Sequence, residues 1–174
     1  VNEAFRDVLE TCAAPHAQRP ETWINQPILE LYDALHRRGD AHSIECWKDT
    51  TLVGGLYGVK IGAAFFGESM FSRARDASKV ALVHLIAHLI SGECQLLDTQ
   101  FLTAHLEQFG TQEIDRASYK KMLEKAINSP STFPAAKLLA AESQVLEVPS
   151  QLGLGARCLL AIAAAALPRH SPHN

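Results

Sequence analysis

Cysteine is scarce in this 174-residue chain and none of it is clustered: Cys12, Cys46, Cys94 and Cys158 lie far apart, and no Cys-x-x-Cys occurs. That excludes a zinc clip or a redox pair of the usual spacing. With no signal-peptide pattern either, a reducing cytoplasm is the expected compartment. Long apolar runs are also missing. The longest near the end, Cys158 to Leu167, falls short of the roughly 20 residues a membrane helix needs. Charge of one sign is lacking too: the net value of −3 gives no global basic field to advertise nucleic acid. The small clusters Arg37-Arg38, Arg73 with Arg75 and Lys79, and Lys120-Lys121 read as solvated surface. Gly54-Gly55 and Gly58 are followed by no Lys-Ser/Thr, so they are not a phosphate-binding loop. No nucleophile elbow and no internal repeat are present.

What is there is a chain of ordinary single-domain length, 47% hydrophobic and 20% charged, as a folded globular protein requires. Asn2 is positioned to cap a helix carrying Phe5, Val8, Leu9 and Cys12 on one face. Asn25, with Pro27 in the first turn, opens a second helix with Ile28, Leu31, Tyr32 and Leu35, closed by Gly39. The period then changes to two. Strands are expected over 43–47, 52–60 and 63–70 as an antiparallel meander, with glycines 54, 55 and 58 marking a bulge or a close approach. Ser78 is the expected cap of an almost wholly apolar helix over 80–90. A short strand over 94–98, a brief helix over 103–109, a strand near 112–114 and a helix capped by Asp115 follow. Ser129 to Pro134 reads as a linker, and the alanine-rich tail as loose helix or disorder. The pattern predicts an α+β fold with helices on the faces of one sheet and a ligand site where strand ends diverge.

Three polar residues interrupt apolar strands. Glu68 lies in Phe66-Gly67-Glu68-Ser69-Met70, and Asp98 and Gln100 lie in Leu97-Asp98-Thr99-Gln100. A carboxylate is costly to bury alone. On an extended chain Asp98 and Gln100 point the same way. A carboxylate beside an amide can orient or deprotonate an amine and donate to a carbonyl oxygen, which suits acyl transfer. The plainer alternatives are that Asp98 caps a turn and that Glu68 pairs with Arg73 or Lys79. His84 and His88 share a helix face but lack a third ligand, so a structural or surface role is expected for them. Leu56, Phe65, Met70, Leu82, Leu85, Leu89 and Leu97 read as core. Trp23 lies in a loop, where an exposed indole can stack on a nucleobase.

Several long motifs then occur in one order: Thr22-Trp23-Ile24, Ala41-His42-Ser43-Ile44-Glu45-Cys46-Trp47, Leu52-Val53-Gly54-Gly55-Leu56-Tyr57-Gly58, Phe66-Gly67-Glu68-Ser69-Met70-Phe71-Ser72-Arg73, Ala77-Ser78-Lys79 and Leu97-Asp98-Thr99-Gln100. Over residues 1–123 the chain strongly resembles the bacterial leucyl/phenylalanyl-tRNA–protein transferases. The resemblance implies a mixed sheet with flanking helices similar to the GCN5-related N-acetyltransferases. It implies transfer of Leu or Phe, sometimes Met, from aminoacyl-tRNA to proteins beginning with Arg or Lys, which marks them for the N-degron route. It implies no metal and no acyl-CoA, and a monomer without membrane attachment is expected.

The same resemblance assigns residues. Asp98 and Gln100 match the family's reaction centre and Glu68 its second acidic residue. Leu56, Phe65, Met70, Leu82, Leu85, Leu89 and Leu97 match a pocket for the Leu or Phe side chain, and Trp23 an aromatic that meets the terminal adenosine. Family members carry a further N-terminal domain that helps hold tRNA. Thr99 stands where Cys is common, and the family pattern is lost near residue 125. Residues 1–127 are therefore expected to form the catalytic domain and 128–174 a divergent, loosely ordered tail. Two other readings are an inactive remnant that binds basic peptide N-termini and an acetyl-CoA-dependent acetyltransferase. The second lacks a glycine-rich pyrophosphate loop in residues 72–80.

Overall fold

In the computed structural model, residues 1–15 and 21–134 are described, together with the backbone of 161–165. The rest of the tail expected as loose helix or disorder, 135–160 and 166–174, and most of the loop between Pro15 and Pro20 lie outside the described residues. Helix α1 (Phe5–Ala13) buries the Phe5, Val8, Leu9 and Cys12 stripe. Asn2 does not cap it. The N-cap is Ala4, and Asn2, at φ +60°, accepts a 2.9 Å hydrogen bond from the Ser43 amide instead. Helix α2 (Gln26–Arg37) starts as its sequence dictates, with Asn25 accepting from the Ile28 amide at 3.2 Å, and the chain turns at Gly39, φ +80°.

Strands β1 (Ala41–Lys48), β2 (Thr51–Ile61) and β3 (Ala64–Ser72) form the expected antiparallel meander. Helix α3 (Ala77–Ser91) crosses to β4 (Leu96–Asp98), which pairs parallel to β3. Ser78 is not the cap of α3. Asp76 holds that position in the left-handed region, and the Ser78 amide donates to the Ser72 hydroxyl at 3.2 Å. The helix can begin this close to the sheet because position 54 is glycine. A Cβ there would lie 2.5 Å from that of Ala77.

The short helix α4 (Ala104–Glu107), strand β5 (Gln112–Ile114) and helix α5 (Arg116–Ile127) follow in the expected order. Asp115 caps α5 by accepting from the amides of Ala117 and Ser118. Within the alanine-rich tail, 161–165 is a strand, β6 (Ala161–Ala165), lying parallel between β4 and β5. Alanine's helix preference is weak against two ladders of backbone hydrogen bonds. The sheet order is β1-β2-β3-β4-β6-β5.

Alternation along the strands sorts the core between two faces. Ile44, Leu56, Phe65 and Leu97 pack under α3, with Leu106 of α4. On the other face Tyr57, Ala41 and Leu52 pack against α1 and α2, and Ala64, Phe66 and Leu96 against Met122, Leu123 and Ala126 of α5. The segment read as a linker is docked. Ser131 donates to the Gly62 carbonyl at 2.6 Å, Thr132 donates to the Gly92 carbonyl at 2.9 Å, and Phe133 stacks on His42 with ring centroids 4.0 Å apart. Proline and serine flag irregular backbone, but they do not say whether that backbone packs. Among the described residues no helix is long and apolar enough to cross a membrane.

Candidate active site

The β2–β3 ladder slips by one residue where the site begins. Gly58 pairs with Gly67 and Tyr57 with Ser69, so Glu68 is the extra residue of a β-bulge and opposes nothing. A bulge turns its side chain out of the regular alternation. Gly58 permits it, since a Cβ there would sit 2.2 Å from the Phe66 carbonyl oxygen and 2.4 Å from the Phe65 ring. This explains both the carboxylate in an apolar strand and the glycine across from it.

The parallel pairing of β3 with β4 runs only from Ala64↔Leu96 to Phe66↔Asp98. Beyond it the strands part, and the gap is spanned by side chains. Asp98, 7% exposed, accepts from the Gln100 amide at 2.8 Å, so it does cap its own turn. That turn puts Gln100 in the left-handed region, φ +62°. The extended geometry expected to align Asp98 with Gln100 is therefore absent. They converge because the turn folds Gln100 back, and its side-chain amide donates to Glu68 Oε2 at 3.1 Å.

Two tyrosines complete the network. The Tyr119 hydroxyl, from α5, donates to the second oxygen of Asp98. The Tyr32 hydroxyl, from α2, lies beside Glu68. Burial first, and then the neighbouring carboxylate, push both phenols above their ordinary range. Both therefore remain neutral donors. The Trp23 ring meets Tyr32 edge to face, centroids 6.5 Å apart, and is 48% exposed. Trp23, Tyr32, Glu68, Gln100, Asp98 and Tyr119 thus form one continuous line of contacts.

Among the described residues, no ion pair includes Glu68 or Asp98. The cations considered for Glu68 are engaged elsewhere: Lys79 pairs with Asp76, and Arg73 lies over Phe71 and reaches Thr11. Two carboxylates held only by neutral donors make an acidic locus able to receive an amine or a cation. The expected side-chain pocket lies across the sheet. Leu56, Phe65, Leu82, Leu85, Leu89 and Leu97 are buried in the cluster under α3. Met70, the cross-strand partner of Leu56, is 37% exposed. Consecutive residues separate the two regions: Phe65 and Leu97 face α3, whereas Phe66 packs toward α5 and Asp98 bonds to it. His88 is buried, with its ring Nδ1 3.0 Å from the Pro134 carbonyl, and so has a structural role.

Tyr32 and Tyr119 were not singled out from sequence, because each falls at an apolar helical position where a phenol ring reads as core. The bulge had a signal, a glycine inside a strand, but its partner across the ladder did not.

Comparison with known proteins bears on this arrangement. The family model described as leucyl/phenylalanyl-tRNA protein transferase matches residues 1–124, which include every member of the network. A protein of Caulobacter vibrioides named leucyl/phenylalanyl-tRNA–protein transferase is 62% identical over 133 residues, covering 76% of this chain and 61% of its own length. One of the same name from Phenylobacterium zucineum is 58% identical over 135 residues, 78% of this chain and 61% of its own. Another from Rhodopseudomonas palustris strain BisB18 is 51% identical over 158 residues, 89% and 69%. The chain thus spans about three-fifths of the first two relatives. On this similarity, as the motifs implied, the chain belongs to the leucyl/phenylalanyl-tRNA protein transferase family.

Proposed function

We propose that this chain is the catalytic part, centred on residues 1–127, of a cytoplasmic, monomeric enzyme. It transfers Leu or Phe, and less readily Met, from aminoacyl-tRNA to proteins beginning with Arg or Lys and so marks them for N-degron degradation. The observation that carries this reading is the pair of carboxylates, Glu68 and Asp98, bridged by Gln100 and supplied with no cationic partner among the described residues. A peptide terminus bearing an α-amine and a basic side chain supplies what the pair lacks. The finer fold reading, a sheet like that of the GCN5-related N-acetyltransferases, is supported by the meander, the crossing helix and the parallel strand that diverges beside a bulge.

In this reading the neutral acceptor amine attacks the ester carbonyl carbon. A C–N bond forms, the ester C–O bond to the ribose breaks, and the amine proton ends on the departing ribose hydroxyl. Asp98 orients the amine and accepts its proton in transit. Gln100 has a second amide hydrogen free of Glu68 for the carbonyl oxygen or ribose, and Glu68 meets the basic side chain. The ester is already activated, so positioning contributes much of the rate. Trp23 stacks on the terminal adenosine. The resemblance assigns Leu56, Phe65, Leu82, Leu85, Leu89 and Leu97, with Met70 at the exposed end, to the slot for the incoming side chain; they pack on the α3 face, so that side chain reaches them through the opening where β3 and β4 part. An apolar slot discriminates by only about 1–3 kcal/mol per methylene, which accounts for admission of Met.

The test offers the chain Phe-tRNA and an Arg-starting peptide, with acetyl-CoA as a competing donor. The expected product is the Phe-extended peptide, with kcat/KM lowered at least about 100-fold in Asp98→Ala, as for loss of a proton-handling group. Acetylated peptide, or phenylalanine transfer indifferent to Asp98→Ala, refutes the reading.

A further inference from the structure

The geometry points to Tyr119 as a positioning residue for Asp98: its hydroxyl, carried in by α5, fixes the second carboxylate oxygen that the Asp98 turn leaves loose. This rests on the transferase reading for its consequence but not for its contact.

The terminal torsion of an aspartate is broad and about two-fold, so one hydrogen bond does not define the carboxylate plane. The Gln100 amide holds one oxygen from within the turn. The only other polar contact on Asp98 among the described residues is the Tyr119 hydroxyl, on the other oxygen. The two donors come from independent elements, a loop after β4 and a helix packed on the sheet, so together they set the plane. A carboxylate has about four lone-pair sites. Two are used here, which leaves two for an incoming amine.

The placement of Tyr119 is itself secured. Asp115 caps α5 through the amides of Ala117 and Ser118 at 2.9 and 3.0 Å, and the Tyr119 amide closes the first helical turn on the Asp115 carbonyl at 2.9 Å. The ring packs with Phe66, Ile114, Met122 and Leu123 over Ala64 and Leu96. The phenol is therefore a rigid donor aimed at the end of β4, where small displacements of a reacting group cost large factors in rate.

Tyr119→Phe keeps the ring and removes only the oxygen. The expected result is a fall in kcat for phenylalanine transfer of about tenfold, the effect of one hydrogen bond to a charged group, with KM for Phe-tRNA within twofold and the thermal midpoint lowered by only a few degrees, as one lost hydrogen bond requires. A second readout needs no transfer. In the chain labelled with [13Cζ]tyrosine, which has three tyrosines, the resonance missing from Tyr119→Phe is expected to shift at neutral pH in Asp98→Asn, where the phenol loses its charged acceptor. A Tyr119 resonance that Asp98→Asn leaves unmoved, or a kcat in Tyr119→Phe equal to the parent's, overturns the proposal. Absence of transfer by the parent chain would sink the transferase reading alone, and the tyrosine resonance would still decide this one.

Discussion

Gln100 joins the two carboxylates and does so from a backbone conformation few non-glycine residues adopt, φ +62°. Such a residue costs on the order of 1–3 kcal/mol and persists where surrounding contacts hold it. Gln100→Gly separates conformation from side chain. Relief of the strain offsets the lost hydrogen bond and the greater freedom of glycine in the unfolded chain. The urea midpoint is therefore expected to change by less than about 1 kcal/mol equivalent, while kcat/KM for phenylalanine transfer falls at least about tenfold. Unchanged transfer would show the bridge to be idle. At this scale the sequence was informative about Glu68, Asp98 and Gln100, because polar side chains inside apolar strands conflict with burial. It was silent about Tyr32 and Tyr119, whose rings satisfy an apolar pattern while their hydroxyls serve another purpose.

At the scale of elements, the bulge in β3 and the turn after β4 matter more than any regular segment. Both sit where the β3–β4 pairing stops, so Glu68 and Gln100 reach across an opening. The bulge depends on Gly58, whose missing side chain leaves room for the Phe65 ring and the Phe66 carbonyl. Gly58→Ala is expected to destabilise the fold by about 3 kcal/mol, at the upper end for overpacking a tight site, measured by urea unfolding. It is also expected to reduce transfer at temperatures where the variant stays folded, because Glu68 is moved. A variant as stable as the parent would show that the ladder can absorb the methyl group. The caps divide instructively. Asn25 and Asp115 act as their sequence suggests, whereas Asn2 and Ser78 do not, since each is drawn into a contact with another element.

Across the whole molecule, the 129–134 segment ties the sheet to α3 through a stack in which Phe133 lies against His42, Phe65 and His88. Burial first, then the nearby His36 and Lys60 charges, hold His42 down to about 4, and burial lowers His88 as well. The sign follows. The folded chain keeps His42 neutral while the unfolded chain takes up a proton near the ordinary 6.5. Its contribution is complete above that value and is lost as pH falls toward about 4. The loss is expected to approach about 3 kcal/mol. It is read as the difference in urea midpoint between pH 7 and pH 4.5, and His42→Phe, which keeps the stack, is expected to flatten it. Equal slopes in parent and variant would assign the acid sensitivity to other groups.

Local physics sufficed for the kinds and order of the elements from α1 to α5, for most of the core, and for three polar residues out of place. Periodicity, capping and turn chemistry act over a few residues and are written in composition. Only the tertiary structure decided that Tyr32 and Tyr119 come from opposite ends of the fold to meet Glu68 and Asp98, that Glu68 leaves the ladder, that Phe133 docks, and that 161–165 enters the sheet between β4 and β5. Those outcomes depend on strand register and on where each helix comes to rest, and long-range packing sets both.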